Sequence, residues 1–245
     1  MMPTMATVGV VIIGNEVLSG RVEEQNARFL CSALRSVGAA LGRITVVPDD
    51  VEQIAEDVRH MTARFDFVLT SGGIGSTHDD VTLPGIARAF ELPLVAEPHL
   101  ESLLRAHFRD GFDEAVARMA RVPRGAELIG REQPIYPLVR VKNVFALPGV
   151  PRFLREKFEL AKPFLAGPPP VLRQVFLRVP EDRVAALLER FDADHPEVSV
   201  GSYPKFEGED HRVEVSLEAA DATAVEAAWV DLASRIPADW IVRTA

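Results

Sequence analysis

From Thr70 to Thr82 the chain reads Thr-Ser-Gly-Gly-Ile-Gly-Ser-Thr-His-Asp-Asp-Val-Thr, directly after a run from Phe65 to Leu69 that is apolar except at Asp66. A helical pattern over Pro84 to Phe90 follows. Apolar strand, glycine loop and helix start together present backbone N–H groups to an anion. Without side chains, Gly72, Gly73 and Gly75 let a phosphate or a flat ring approach the backbone and can adopt positive φ. A tight strand-to-helix turn would use the same glycines for geometry alone. No Gly-Lys-Ser/Thr follows, so this is not a Walker loop, and the three-glycine dinucleotide spacing is absent.

Beside the glycines stand Ser71, Ser76, Thr77, His78, Asp79, Asp80 and Thr82. Asp80 or Thr82 could simply cap the next helix, but a cap uses one oxygen and this segment offers several. Asp79 and Asp80 could hold a divalent cation such as Mg or Co against ligand phosphates, or position a water. A second polar cluster, Gly14, Asn15 and Glu16, follows the apolar run Val8 to Ile13. Its amide and carboxylate match the paired donors and acceptors of a base or pterin edge, and they suit a surface loop equally well.

The elements that must position these groups alternate from the start. Val8 to Ile13 is β-branched at every position but Gly9, as in a strand covered on both faces. Asn26 could cap a helix with apolar Phe29, Leu30, Ala33, Leu34 and Val37, ending at Gly38. Ile44 to Val47 reads as a strand, and Asp50 with Gln53 as a capping box opening a helix to Met61. Three successive β-α units predict an α/β fold, a parallel sheet with helices on both faces. After Pro98 one longer helix is expected to about Met119, then strands at Ala126–Ile129, Leu138–Val141 and Val144–Leu147. Pro148-Gly149 ends the last of these, and ligands in open α/β sheets sit beyond the carboxyl ends of strands.

The prolines of Lys162-Pro163 to Pro168-Pro169-Pro170 mark a boundary. Two domains are expected, residues 1–165 and a small α+β domain over 171–245 with a β-α-β-β-α-β pattern. Lys plus Arg is 27 against 36 for Asp plus Glu, a net −9 that repels nucleic-acid backbones and anionic membranes. Nucleic acid is therefore not the expected partner, although the β-α-β-β-α-β pattern is compatible with several RNA-binding folds. Val8 to Ile13 is too short to span a bilayer, so a cytoplasmic, soluble protein is expected. Cys31 is the only cysteine; on the apolar stripe of its helix it is expected to be a buried, inert thiol.

Four motifs in one order carry a resemblance. They are Gly-Asn-Glu-Val-Leu-Ser-Gly (14–20) with Asn26, Val-Pro-Asp-Asp (47–50), the stretch from Ser71 to Thr82, and Leu-Pro-Gly-Val-Pro (147–151). Together they resemble the molybdopterin-binding (MoaB/Mog-like) domain of the CinA family, which also forms the N-terminal part of eukaryotic FAD synthases. Gly201-Ser202-Tyr203-Pro204 resembles a motif of the small domain that follows in CinA-like proteins. The resemblance implies a three-layer α/β/α domain, usually a homo-oligomer. It implies a ligand loop of Ser71 to Asp80 with Thr82, joined by Gly14, Asn15, Glu16, Pro148 and Gly149. It also implies either binding of molybdopterin or metal-dependent hydrolysis of pyrophosphate bonds in nucleotides such as ADP-ribose, with Asp79 and Asp80 catalytic in the second case. Ser76 replaces the family's usual proline, and Arg152-Phe153 stands where an acidic residue is usual. With the sequence ending at Ala245, the nicotinamide-nucleotide deamidase activity of full-length CinA is not expected.

Overall fold

A computed structural model describes residues 5–132, 136–206 and 210–245. The chain divides into two compact units between Gly167 and Pro168. The first opens with β1 (Ala6–Ile13), a one-turn α1 (Asn15–Leu18), α2 (Asn26–Ser36), β2 (Ala39–Val47) and α3 (Val51–Thr62). It continues through β3 (Phe67–Ser71), α4 (Thr82–Ala89), β4 (Leu94–Ala96), α5 (Pro98–Phe108) and α6 (Glu114–Arg118). Strands β5 (Arg121–Pro123), β6 (Glu127–Ile129), β7 (Leu138–Val141) and β8 (Val144–Leu147) precede α7 (Pro151–Leu165).

Among the described residues β2-β1-β3-β8-β7-β6 form one sheet. Strands β2, β1, β3 and β8 run parallel, and β7 and β6 add an antiparallel edge. Successive strand residues point to opposite faces, and both faces here are apolar. Val8, Val10 and Ile12 of β1 pack with Leu30, Leu34, Leu154 and Phe158 of α2 and α7. Val11 and Ile13 pack with Ile54, Val58 and Ile86 of α3 and α4. Burying a sheet between two helical layers makes the predicted three-layer α/β/α arrangement. No helix among the described residues is long and apolar enough to cross a membrane.

Two expectations need correction. The single helix from Pro98 to Met119 is interrupted: Arg109 takes a positive φ of 48°, and Asp113 restarts the chain as the N-cap of α6, accepting from Val116 N–H at 2.9 Å. The short β4–β5 pair flanking these helices carries no alternating pattern long enough to read. Cys31 is exposed, not buried. It lies one residue, about 100° of helical turn, beyond the buried Leu30, which rotates it off the apolar stripe.

The second unit consists of β9 (Val171–Leu177), α8 (Glu181–Asp194), β10 (Ser199–Pro204), β11 (Val213–Ala219), α9 (Ala222–Arg235) and β12 (Ile241–Thr244). Its sheet order is β10-β11-β9-β12, antiparallel throughout, which is the ferredoxin-like arrangement of a β-α-β-β-α-β chain. Val175, Leu177, Val213, Val215 and Leu217 meet Val184, Leu188, Val225 and Leu232 in a core of its own.

Candidate functional site

Parallel pairing places the ends of three strands side by side. Ile12 of β1 lies opposite Ser71 of β3, and Ser71 lies opposite Leu147 of β8. The chain therefore leaves the sheet at Gly14, Gly72 and Pro148 along one edge, and the polar motifs follow at these exits. Gly14 N–H donates to Val47 O at 3.1 Å, and Gly72 N–H donates to Leu147 O at 3.1 Å. Each bond extends the ladder one step past the strand and fixes where its loop begins.

At two positions the loop requires glycine. Gly72 has a φ of 108°, and a Cβ there would lie 2.2 Å from Ile13 O. Gly73 has a φ of 63°, and its Cβ would lie 2.4 Å from Thr82 Oγ1. Both positive φ values are costly for residues with a side chain, and both contacts are sterically forbidden. Gly149 packs on the same loop, where an added Cβ would stand 3.2 Å from Gly72 Cα.

Thr82 and Asn26 do something other than cap helices. Helix α4 has Val81 as N-cap, without a side-chain capping bond. The fully buried Thr82 hydroxyl donates instead to Gly72 O at 2.8 Å, and Thr82 N–H donates to Gly73 O at 2.9 Å, stitching the loop to its helix. Asn26 is the first residue of α2, not its cap. The Glu24 carboxylate takes the capping role by accepting from Ala27 N–H at 2.6 Å. That frees the Asn26 carboxamide, 4% exposed, to donate to Ser71 Oγ at 3.0 Å and to Gly149 O at 2.7 Å. One buried side chain thereby holds the β3 exit against the β8 exit. The polarity of Asn26 beside a helix start was legible in the sequence; its long-range partners were not.

The carboxylates belong to a tight turn. Thr77 N–H donates to Asp80 Oδ2 at 2.8 Å, and the Thr77 hydroxyl lies 2.5 Å from Asp79 Oδ1 and 2.6 Å from Asp80 Oδ2. So Asp80 serves the loop itself and does not cap α4. A hydroxyl has one proton, so it serves only one of these two carboxylates at a time. The Thr77 bond is the main cause holding the exposed Asp79 below the ordinary value of 3.8, so it stays ionised at neutral pH. Two carboxylates and a hydroxyl are a partial oxygen set for a hard cation, which takes six or more oxygens. Among the described residues no three His, Cys, Asp or Glu side chains form a metal cluster, so ligand oxygens or water would have to complete the shell. His78 is exposed and joins no such group. Arg118 donates to Ser76 O at 3.3 Å, bracing the tip of the loop.

The first loop is held from β2. Asn15 N–H donates to Asp49 Oδ2 at 2.8 Å, a contact that sequence reasoning missed. The neighbouring Asp50 forms the expected cap of α3, accepting from Gln53 N–H at 2.9 Å, so the Asp49-Asp50 pair divides between two tasks. The Glu16 carboxylate folds over Gly14, whose added Cβ would lie 2.7 Å from Glu16 Oε1.

Comparison with known proteins agrees with this architecture. Residues 9–167 match the family described as "Probable molybdopterin binding domain", and residues 169–245 match "FAD synthase, middle domain". A protein of Archaeoglobus fulgidus is 36% identical over 80% of this chain and 85% of its own length. A CinA-like protein of Desulfotalea psychrophila is 31% identical over 80% of this chain and 51% of its own. A probable FAD synthase of Caenorhabditis briggsae is 29% identical over 92% of this chain and 49% of its own, so the chain spans about half the length of that relative. A crystal structure of the protein CinA, of unknown function, from Thermoplasma acidophilum superposes with a TM-score of 0.60. It is 27% identical and covers 65% of this chain and 98% of its own. With its mostly parallel sheet and the loops at one end of its strands, the chain belongs to the molybdopterin-binding-domain family, in the CinA-type, MoaB/Mog-like form.

Proposed function

We propose that the Gly72–Asp80 loop binds a small phosphorylated ligand bearing a ring, of the molybdopterin or nucleotide class. The observation that supports this most is the Asn26 junction to Ser71 and Gly149, which keeps two strand exits rigid side by side. A rigid edge orients amide donors before the ligand arrives, so less ordering is needed on binding. The Gly73 and Gly75 amides face no side chain of their own and suit a phosphate. Asn15 and Glu16 supply the polar pair for a ring edge, and Pro148-Gly149 borders the loop at Gly72. Titration calorimetry with molybdopterin and with ADP-ribose tests this reading. Saturable binding of at least one is expected, and heat from neither would overturn it.

A second reading rests on the shared Thr77 hydroxyl. Two carboxylates beside a phosphate are repulsive unless a cation lies between them. A divalent metal held by Asp79 and Asp80 would remove that repulsion and polarise a phosphoanhydride, making the protein a nucleotide pyrophosphatase. The probable FAD synthases among the relatives fit a nucleotide ligand. Incubation of ADP-ribose with Mg²⁺, Mn²⁺ or Co²⁺ separates the readings: AMP release supports hydrolysis, and none with any metal leaves binding alone. A homo-oligomer acting in the cytoplasm fits either reading, and sedimentation equilibrium reads the assembly directly.

A further inference from the structure

Away from this loop, Arg43, His60 and Arg64 meet on the α3 side of the sheet. Arg43 Nη1 lies 3.0 Å from His60 Nε2, and Arg64 Nη1 lies 3.0 Å from the same nitrogen. A guanidinium only donates, so both aim at one imidazole acceptor. An imidazole nitrogen has a single in-plane lone pair, which one donor saturates. Two cations are thus drawn together around one acceptor that a single donor already satisfies.

Neither guanidinium has a carboxylate at ion-pair distance among the described residues, although acids outnumber bases along the chain. On the same helix the contrast is plain: Glu52 pairs with Arg88 at 2.8 Å. His60 and Arg64 are four residues apart around the C-terminal end of α3, and Arg43 reaches them from edge strand β2. All three side chains are exposed. In the β1–β2 register Arg43 faces Gly9, four residues before Val47, so it stands about 13 Å short of the edge that holds the glycine loop.

We propose that Arg43, His60 and Arg64 form a second anion site, for a phosphate-class oxyanion. A tetrahedral dianion carries several lone pairs in place of one and accepts from both guanidiniums at once, in the geometry arginine favours. The two positive charges then face a negative group instead of each other. Free phosphate and a phosphomonoester share this chemistry, and the site is independent of the ligand loop.

The test is a titration followed by NMR at the Arg43 and Arg64 side-chain N–H groups and the His60 ring, at constant ionic strength. One arm uses inorganic phosphate and the other methyl phosphate, with chloride as the control. Saturable shifts are expected below about 10 mM in at least one phosphate arm, the range of a millimolar site. The exposed double variant Arg43→Gln/Arg64→Gln is expected to weaken binding at least about tenfold without altering the fold. Saturation in only one arm identifies the source. Equal shifts with chloride, no saturation in either arm, or unchanged binding in the double variant would overturn the site.

Discussion

The Asn26 carboxamide donates to the Gly149 carbonyl at 2.7 Å, joining residues 123 positions apart in sequence. The same nitrogen reaches Ser71 Oγ, so one side chain spans the exits of β3 and β8. Asn26→Ala leaves the buried Ser71 hydroxyl and the part-buried Gly149 carbonyl without this donor. A loss of about 1–3 kcal/mol in unfolding free energy is expected. Denaturant unfolding of the whole chain reads it. Asn26→Asp keeps the shape but sets a carboxylate against a carbonyl, and at neutral pH it should be no better than alanine.

Gly72 is the most sterically constrained point of the loop. Gly72→Ala combines a φ of 108° with a Cβ that would lie 2.2 Å from Ile13 O. A destabilisation on the order of 1–3 kcal/mol is expected from the backbone conformation alone. Gly20, with a φ of 70° and nothing within 4 Å, is the control: Gly20→Ala has only its backbone conformation to resist it and should cost less. Parallel thermal melts of the two variants check the order.

Asp79 is exposed and braces only Thr77, so Asp79→Asn should leave the melting temperature close to that of the wild type. If a cation bridges the loop to phosphate, the same variant should weaken metal-dependent nucleotide binding by about tenfold or more. Affinity measured with and without Mg²⁺ separates the two effects. A variant that loses affinity equally in both conditions would point to a direct ligand contact instead.

In the second unit His195 bonds Asp231 through Nε2 at 2.8 Å and Glu197 through Nδ1 at 3.3 Å, while Arg235 pairs with Asp194 and Asp231. Asp231 above all, with Glu197, raises the imidazole above its ordinary 6.5. Arg235 first, then His195, lowers Asp231 below 3.8. The raised histidine contributes fully below 6.5 and loses its contribution as pH climbs through its folded value. The lowered aspartate contributes above 3.8 and loses its part as pH falls through its folded value. Stability should therefore decline as pH rises above 6.5 through the raised folded value in the wild type, and less so in His195→Gln. Unfolding free energies across that range give the slope.

Much of this was legible in the sequence because it is local or periodic. The β-branched run of β1 announced a strand buried on both faces, and Asp50 with Gln53 announced the start of α3. The glycines at 72 and 73 were readable as special positions, and both have positive φ. Long-range bonds were not readable. Asn26, Thr82 and Asp80 all have types that favour helix caps, and all three instead bond within or across the loops. Asp49 reaching Asn15 N–H is the same kind of case, a pairing that exists only because β1 and β2 lie side by side. Cys31 failed for a simpler reason: a shift of one residue on a helix turns a side chain from core to solvent.

The most direct measurement compares ligand binding by the wild type and by Gly73→Ala, whose added Cβ would lie 2.4 Å from Thr82 Oγ1. Titration with molybdopterin and with ADP-ribose should give saturable binding of at least one by the wild type. In the variant, with its fold verified by circular dichroism, affinity should fall at least about tenfold. Undiminished binding by the folded variant would contradict the placement of the ligand at this loop, and no binding of either compound by the wild type would contradict the proposed function.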